Sequence, residues 1–242
     1  MRRLVWSASL ICTVLLLACG DAGPTDGGGG EEPVGEDEAA IVNGTVDYTH
    51  DAVVCLALED GYGCSGTFIE ASGNYAYVLT AAHCVTPHAP LQVNQGVNCQ
   101  SPDTWYSVDD YRAHPSYNGD CPDMAVVRVW NTGGPPPMIP AATSPDGLYA
   151  GAEIRHVGYG LTSYPNGHND QRRTTTNTIS GFESGNSEFW YDESISGTCQ
   201  GDSGGPALSI GTERVVGVIS RGEEGCTGTS WAVRVSTFYT SF

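Results

Sequence analysis

Eight consecutive residues, Cys199-Gln200-Gly201-Asp202-Ser203-Gly204-Gly205-Pro206, constrain this chain more than any other stretch. Asp, Ser, Gly and Pro favour a tight turn. Glycines on both sides of Ser203 let backbone N–H groups approach a bound molecule that a side chain would push away. Acyl transfer needs such groups, because a tetrahedral oxyanion must be met by fixed dipoles. Taken alone the stretch also reads as a hairpin turn, so its meaning depends on context.

That context lies upstream. Thr80-Ala81-Ala82-His83-Cys84 offers a histidine, and Asp123 heads the apolar run Met124-Ala125-Val126-Val127. A serine hydroxyl needs a base to take its proton, and the base needs a third group to fix its tautomer. With these residues in view, the chain resembles the chymotrypsin/trypsin family of serine proteases over about residues 41–242. The order His83, Asp123, Ser203 matches that family and differs from the orders in subtilisins and α/β-hydrolases.

The resemblance implies an all-β fold of two packed six-stranded antiparallel barrels, about 41–140 and 141–242, with the catalytic cleft between them. It implies a serine endopeptidase in which Ser203 attacks, His83 moves the proton and Asp123 orients His83. The N–H groups of Gly201 and Ser203 are expected to form the oxyanion hole. Ile41-Val42-Asn43-Gly44 resembles the mature N-terminus that the family exposes by cleavage. A cut after Ala40 creates an ammonium on Ile41 that is expected to pair with Asp202. Two rival readings keep the same fold: a catalytically inactive binding module, and an esterase.

The resemblance also implies the specificity pocket. Gly197 stands at its base, where trypsin-like members carry Asp. Gly222 and Ser230 are assigned to its walls. A buried Lys or Arg side chain without a partner carries a heavy desolvation cost. The expectation is therefore a neutral pocket that prefers an uncharged residue before the scissile bond. Glu223 and Glu224 read as a solvated turn at the rim, and Arg221 replaces a usual aromatic.

Composition excludes other classes. The 242 residues contain 28 acidic and 10 basic side chains, a formal net charge of −18, and every basic residue is Arg. Such a surface repels phosphate backbones and anionic membranes, so no nucleic-acid partner is expected. Partners are protein or peptide substrates, and the expected state is a monomer. The loop from Thr86 to Asp103 has Asp103 as its one acidic residue, too few oxygen ligands for calcium. No metal and no cofactor are expected.

Nine cysteines point to an oxidising compartment. The resemblance implies disulfides Cys64–Cys84 and Cys199–Cys226. Of Cys55, Cys99 and Cys121, a Cys99–Cys121 bridge is favoured, with Cys55 left as a small buried hydrophobe.

Before Ile41 the chain changes character. Arg2 and Arg3 precede an apolar run through Leu17, which fits an export signal and is too short to span a membrane. Leu16-Leu17-Ala18-Cys19 resembles a bacterial lipobox, making 1–19 a signal peptide whose Cys19 is acylated. An ordinary signal peptide cut nearby, with Cys19 discarded, is the alternative. Residues 20–40 hold seven glycines, seven acids and no basic residue, the composition of a disordered linker or propeptide. The expected localisation is a lipid anchor on the bacterial cell envelope, with extracellular release on activation.

Overall fold

The computed structural model describes residues 41–61, 63–168 and 170–239. The expected signal peptide, Cys19 and the 20–40 linker lie outside the described residues.

Strands β1 (Thr45–Val46), β2 (Val53–Leu58), β3 (Gly63–Ser72), β4 (Tyr75–Thr80), β5 (Pro90–Gln95), β6 (Thr104–Ala113) and β7 (Ala125–Trp130) occupy the first half. The second holds β8 (Glu153–Gly158), β9 (Arg173–Glu183), β10 (Glu188–Asp192), β11 (Pro206–Ser209), β12 (Val215–Gly222) and β13 (Thr229–Arg234), followed by a one-turn helix α1 (Val235–Phe238). Strands β2-β3-β4-β7-β6-β5 close into one antiparallel barrel. A second six-stranded barrel runs β8-β9-β10-β13-β12-β11, closed by the β8–β9 pairing.

Local sequence explains much of this. Val53-Val54-Cys55-Leu56-Ala57-Leu58 is β-branched and apolar, and β2 is buried along nearly its whole length. Leu56, Phe68, Val78, Leu79 and Val127 fill the first barrel, while Ile154, Ile179, Phe189 and Tyr191 fill the second. The first core continues through Val157, Tyr159 and Leu208, so one apolar interior joins the two barrels. One boundary differs from the sequence division. β1 pairs with β9, which attaches the N-terminal segment to the second barrel and not to the first.

The disulfides need one correction. Cys64–Cys84 and Cys199–Cys226 are bonded, but the third bridge is Cys55–Cys99, and Cys121 is the free thiol. The reason is register. Cys55 on β2 stands opposite Asn94 on β5, and the Asn94 amide donates to the Cys99 carbonyl, folding the chain after β5 back over Cys55. Cys121 instead faces the second barrel, with its sulfur 3.8 Å from the Ser187 hydroxyl.

Candidate active site

Strand pairing brings two of the three expected site residues together. Thr80 at the end of β4 is paired with Ala125 at the start of β7. The residues just beyond, a 3₁₀ turn carrying His83 and the segment carrying Asp123, therefore meet at the same barrel rim. His83 Nδ1 lies 2.7 Å from Asp123 Oδ2, and the His83 backbone N–H donates to Asp123 Oδ1 at 2.9 Å. The Ser220 hydroxyl adds a third bond, 2.7 Å to Oδ2. Burial raises the Asp123 carboxyl, but the bonds and charge of His83, with the Ser220 hydroxyl, outweigh it and hold it below its ordinary range.

Ser203 reaches this corner from the second barrel. Its loop precedes β11, and Gly204 N–H donates to Ile219, the neighbour of Ser220. The Ser203 carbonyl accepts from Ser65 N–H at 2.8 Å, and its oxygen lies 3.6 Å from the Cys84 sulfur. Since Cys84 follows His83, the serine loop abuts the histidine turn. The ligand atoms of Cys64, His83 and Cys84 fall within 4.8 Å of one another, but both sulfurs are bonded to each other and unavailable to a metal.

The glycines of the loop have steric reasons. Gly201 has φ +100°, a conformation L side chains rarely adopt, and a Cβ there would press on Gly160 Cα at 3.0 Å. A Cβ on Gly204 would strike the Thr80 hydroxyl and Ser65 backbone. Among the described residues the N–H groups of Gly201 and Ser203 have no intramolecular acceptor, whereas those of Asp202, Gly204 and Gly205 do.

Asp202 is wholly buried, with Oδ1 accepting from Gly160 N–H and Oδ2 from Cys199 N–H, each at 2.8 Å. Burial pushes its carboxyl up to about 7 despite those two bonds, and the charge of Glu193 adds to the rise. The Ile41 side chain is buried too, and Val42 forms an isolated bridge with Gly197. Ile41 has φ +46°, which is costly for a β-branched residue.

Together these features give a buried carboxylate behind an imidazole, a serine on a glycine loop and two uncommitted N–H groups. A family profile described as Trypsin matches residues 41–241. The chain belongs to the trypsin family. Human Kallikrein-9 is 28% identical over 173 residues, 62% of this chain and 68% of that protein. Trypsin delta of Drosophila melanogaster is 26% identical over 191 residues, 70% of this chain and 72% of that one. Among solved structures, a collagenase described as HL collagenase superposes with TM-score 0.70 at 22% identity, covering 82% of this chain and 95% of that one. Human heparin binding protein does so with TM-score 0.71 at 17% identity, covering 83% and 94%. Such neighbours carry the fold, and trypsin-family membership makes this a serine protease-type hydrolase domain.

Of the three residues expected to form the specificity pocket, Gly222 and Ser230 line a cleft of about 400 Å³ together with Ser203, Thr198, Ser220 and Glu223. A larger groove of about 740 Å³ on the outside of the first barrel is lined by none of His83, Asp123 or Ser203. A Cβ on Gly222 would collide with the Ser230 hydroxyl, so glycine there keeps the wall open. Gly197, expected at the base, is not among the residues lining the cleft, and it packs against Glu193. A Cβ at 197 would run into the side chain of Glu193, whose carboxylate occupies that place. Glu193 is buried, accepting from Thr198 N–H and hydroxyl through Oε1 and from the Ser230 hydroxyl at 2.6 Å through Oε2. Glu193 is not legible from the sequence, because position 197 carries no acid and nothing local places residue 193 beside it. Its signal was a lone Glu in the polar run Asp192-Glu193-Ser194, which reads as a solvated turn.

Proposed function

We propose that this trypsin-family protein is an active serine endopeptidase working through His83, Asp123 and Ser203. His83 takes the Ser203 proton as the hydroxyl oxygen bonds to the peptide carbonyl carbon, giving a tetrahedral oxyanion. The N–H groups of Gly201 and Ser203 bind that oxyanion, each donor worth about 3–4 kcal/mol. His83 returns the proton to the leaving amine, and water then releases the acyl group by the same steps. The observation that carries this reading is the buried Asp123 carboxylate holding His83 Nδ1 at 2.7 Å beside the serine loop.

We further propose that the chain is made as a precursor activated by cleavage after Ala40. The Ile41 φ of +46° depends on the bond to residue 40, so cutting that bond releases strain of about 1–3 kcal/mol. The new ammonium of Ile41 then compensates the buried Asp202 carboxylate. With no cysteine between 20 and 40 to retain the propeptide, the same cut frees the domain from a lipid on Cys19. Export, acylation of Cys19 and the monomeric state belong to this proposal.

Labelling with a fluorophosphonate tests the reading. The cleaved chain is expected to react at Ser203, and Ser203→Ala or His83→Ala to lose the reaction by several orders of magnitude. No labelling of the wild-type chain would favour an inactive binding module, and turnover of esters but not peptides an esterase.

A further inference from the structure

Besides the exposed Tyr164, three hydroxyls line the cleft beside Ser203, and each of these three has its proton committed to a buried carboxylate. Thr198 and Ser230 donate to Glu193, and Ser220 donates to Asp123. A hydroxyl has one proton and two lone pairs, so what these three can offer the cleft is lone pairs alone. Tyr191 extends the set from behind, its hydroxyl 3.3 Å from Thr198 Oγ1. With the Thr198 proton already on Glu193, Tyr191 is the donor in that pair.

Charge points the same way. Glu193 has no Arg or His ion-pair partner among the described residues. Glu223 and Glu224 stand at the rim, and Arg221, the one cation lining the cleft, is bound to Glu188 through both terminal nitrogens and lies over the Trp231 ring. An apolar side chain entering here would leave three sets of lone pairs unsatisfied, a loss that polar sites use to reject analogues lacking a donor. An ammonium or guanidinium consists of donors only and would satisfy them, with the buried Glu193 charge lying behind Thr198 and Ser230.

We propose that Glu193 is the specificity-determining residue of this cleft, read through the Thr198 and Ser230 hydroxyls, and that it selects peptides with Lys or Arg before the scissile bond. This inference rests on the endopeptidase reading and fixes its substrate class. It also has a consequence for maturation. Ala40 carries no cation, so the cleft does not favour its own activation site, and the cut ahead of Ile41 is made by a protease of different preference.

Binding and turnover test the inference separately from the serine chemistry. The full chain cleaved ahead of Ile41 is titrated with p-aminobenzamidine, which carries the amidinium, and with its neutral analogue p-aminobenzamide. The amidinium is expected to bind at least about tenfold more tightly, with the advantage falling about 10- to 100-fold in Glu193→Gln, the scale of a hydrogen bond to a charged group. Ser230→Ala keeps the carboxylate but removes one relay and is expected to lose part of the same advantage. Peptides with Arg or Lys before the cut are expected to outpace those with Leu or Phe, in kcat/KM, by a margin that shrinks in Glu193→Gln. Equal binding of the two probes by the wild-type chain, or faster cleavage after Leu or Phe, would overturn the proposal, and neither result depends on whether a variant folds. Failure to react with fluorophosphonate would remove the endopeptidase reading while leaving the probe binding to report on the cleft.

Discussion

Ser220 Oγ donates to Asp123 Oδ2 across 2.7 Å, to the same oxygen that holds His83 Nδ1. The bond crosses from β12 of the second barrel to the rim of the first, fixing the carboxylate from both sides. Ser220→Ala is expected to lower the rate of fluorophosphonate inactivation about tenfold, in line with the ~1.5–3 kcal/mol of a hydrogen bond to a charged group. That readout avoids substrates whose side chains contact Ser220 in the cleft. The same change has a pH signature. Asp123 has a depressed folded pKa, so it contributes stability above the ordinary carboxylate range and loses it as pH falls through the folded value. Removing a donor raises that value, and the acid unfolding midpoint is expected to move to higher pH. An unchanged midpoint and rate would show that Ser220 has no hold on Asp123.

Arg172 makes a second, purely structural prediction. Its side chain is fully buried, with the guanidinium donating to the carbonyls of Asp47 and Val53 at 3.3 Å and to Asp51 Oδ1 at 2.6 Å. Removing one partner of a buried charge set typically costs ~3–5 kcal/mol. Arg172→Met is expected to lose stability on that scale in urea unfolding, whereas Arg112→Met, on an exposed arginine paired with nearby Asp110, is expected to change it by less than about 1 kcal/mol.

The contrast between these sites shows what the sequence made legible. Apolar β2 and β4 announce themselves by composition, and the His83, Asp123 and Ser203 segments by their order. β9, Arg-Thr-Thr-Thr-Asn-Thr-Ile-Ser-Gly-Phe-Glu, is polar along most of its length because it lies on the barrel surface with only scattered buried positions. No apolar alternation marks it. Arg172 and Glu193 are hidden for a different reason: a charged side chain reads as solvated until the fold supplies its partners. The Cys55–Cys99 bridge depends on the β2–β5 register, which no local pattern encodes.

That bridge leaves Cys121 with a definite chemistry. Burial, with the negative charge of Glu188, raises its thiol above the ordinary range. Because the thiolate is the nucleophile, alkylation of the folded domain by iodoacetamide near neutral pH is expected to be slower than that of a free small thiol. In the unreduced, denatured chain beginning at Ile41, mass mapping is expected to place the single alkyl group on Cys121. A label on Cys55 would contradict the pairing. Cys121→Ser is expected to retain all three disulfides and activity within about twofold, since the thiol forms none of the disulfides and its hydrogen-bond partner among the described residues is the Ser187 hydroxyl.

Asp202 is expected to titrate differently before and after the cut ahead of Ile41. In the uncut chain its pKa is pushed up to about 7 from 3.8, the reverse of the usual ion-paired carboxylate. Between those values the folded state holds a proton that the unfolded state has released. Stability therefore falls as pH rises through that window and levels off above about 7, a total loss of roughly 4 kcal/mol at 1.36 kcal/mol per pKa unit. Glu193 contributes to the rise, so Glu193→Gln in the uncut chain is expected to narrow that pH window and reduce the total loss. Once the Ile41 ammonium pairs with Asp202, the carboxylate is compensated and the loss disappears. The measurement is a set of thermal melts of the Ser203→Ala chain, uncut and cut ahead of Ile41, from about pH 4 to pH 8. The uncut form is expected to lose stability steadily toward neutral pH relative to the cut form. Parallel curves would mean that the ammonium does not reach Asp202, and activation would need another cause.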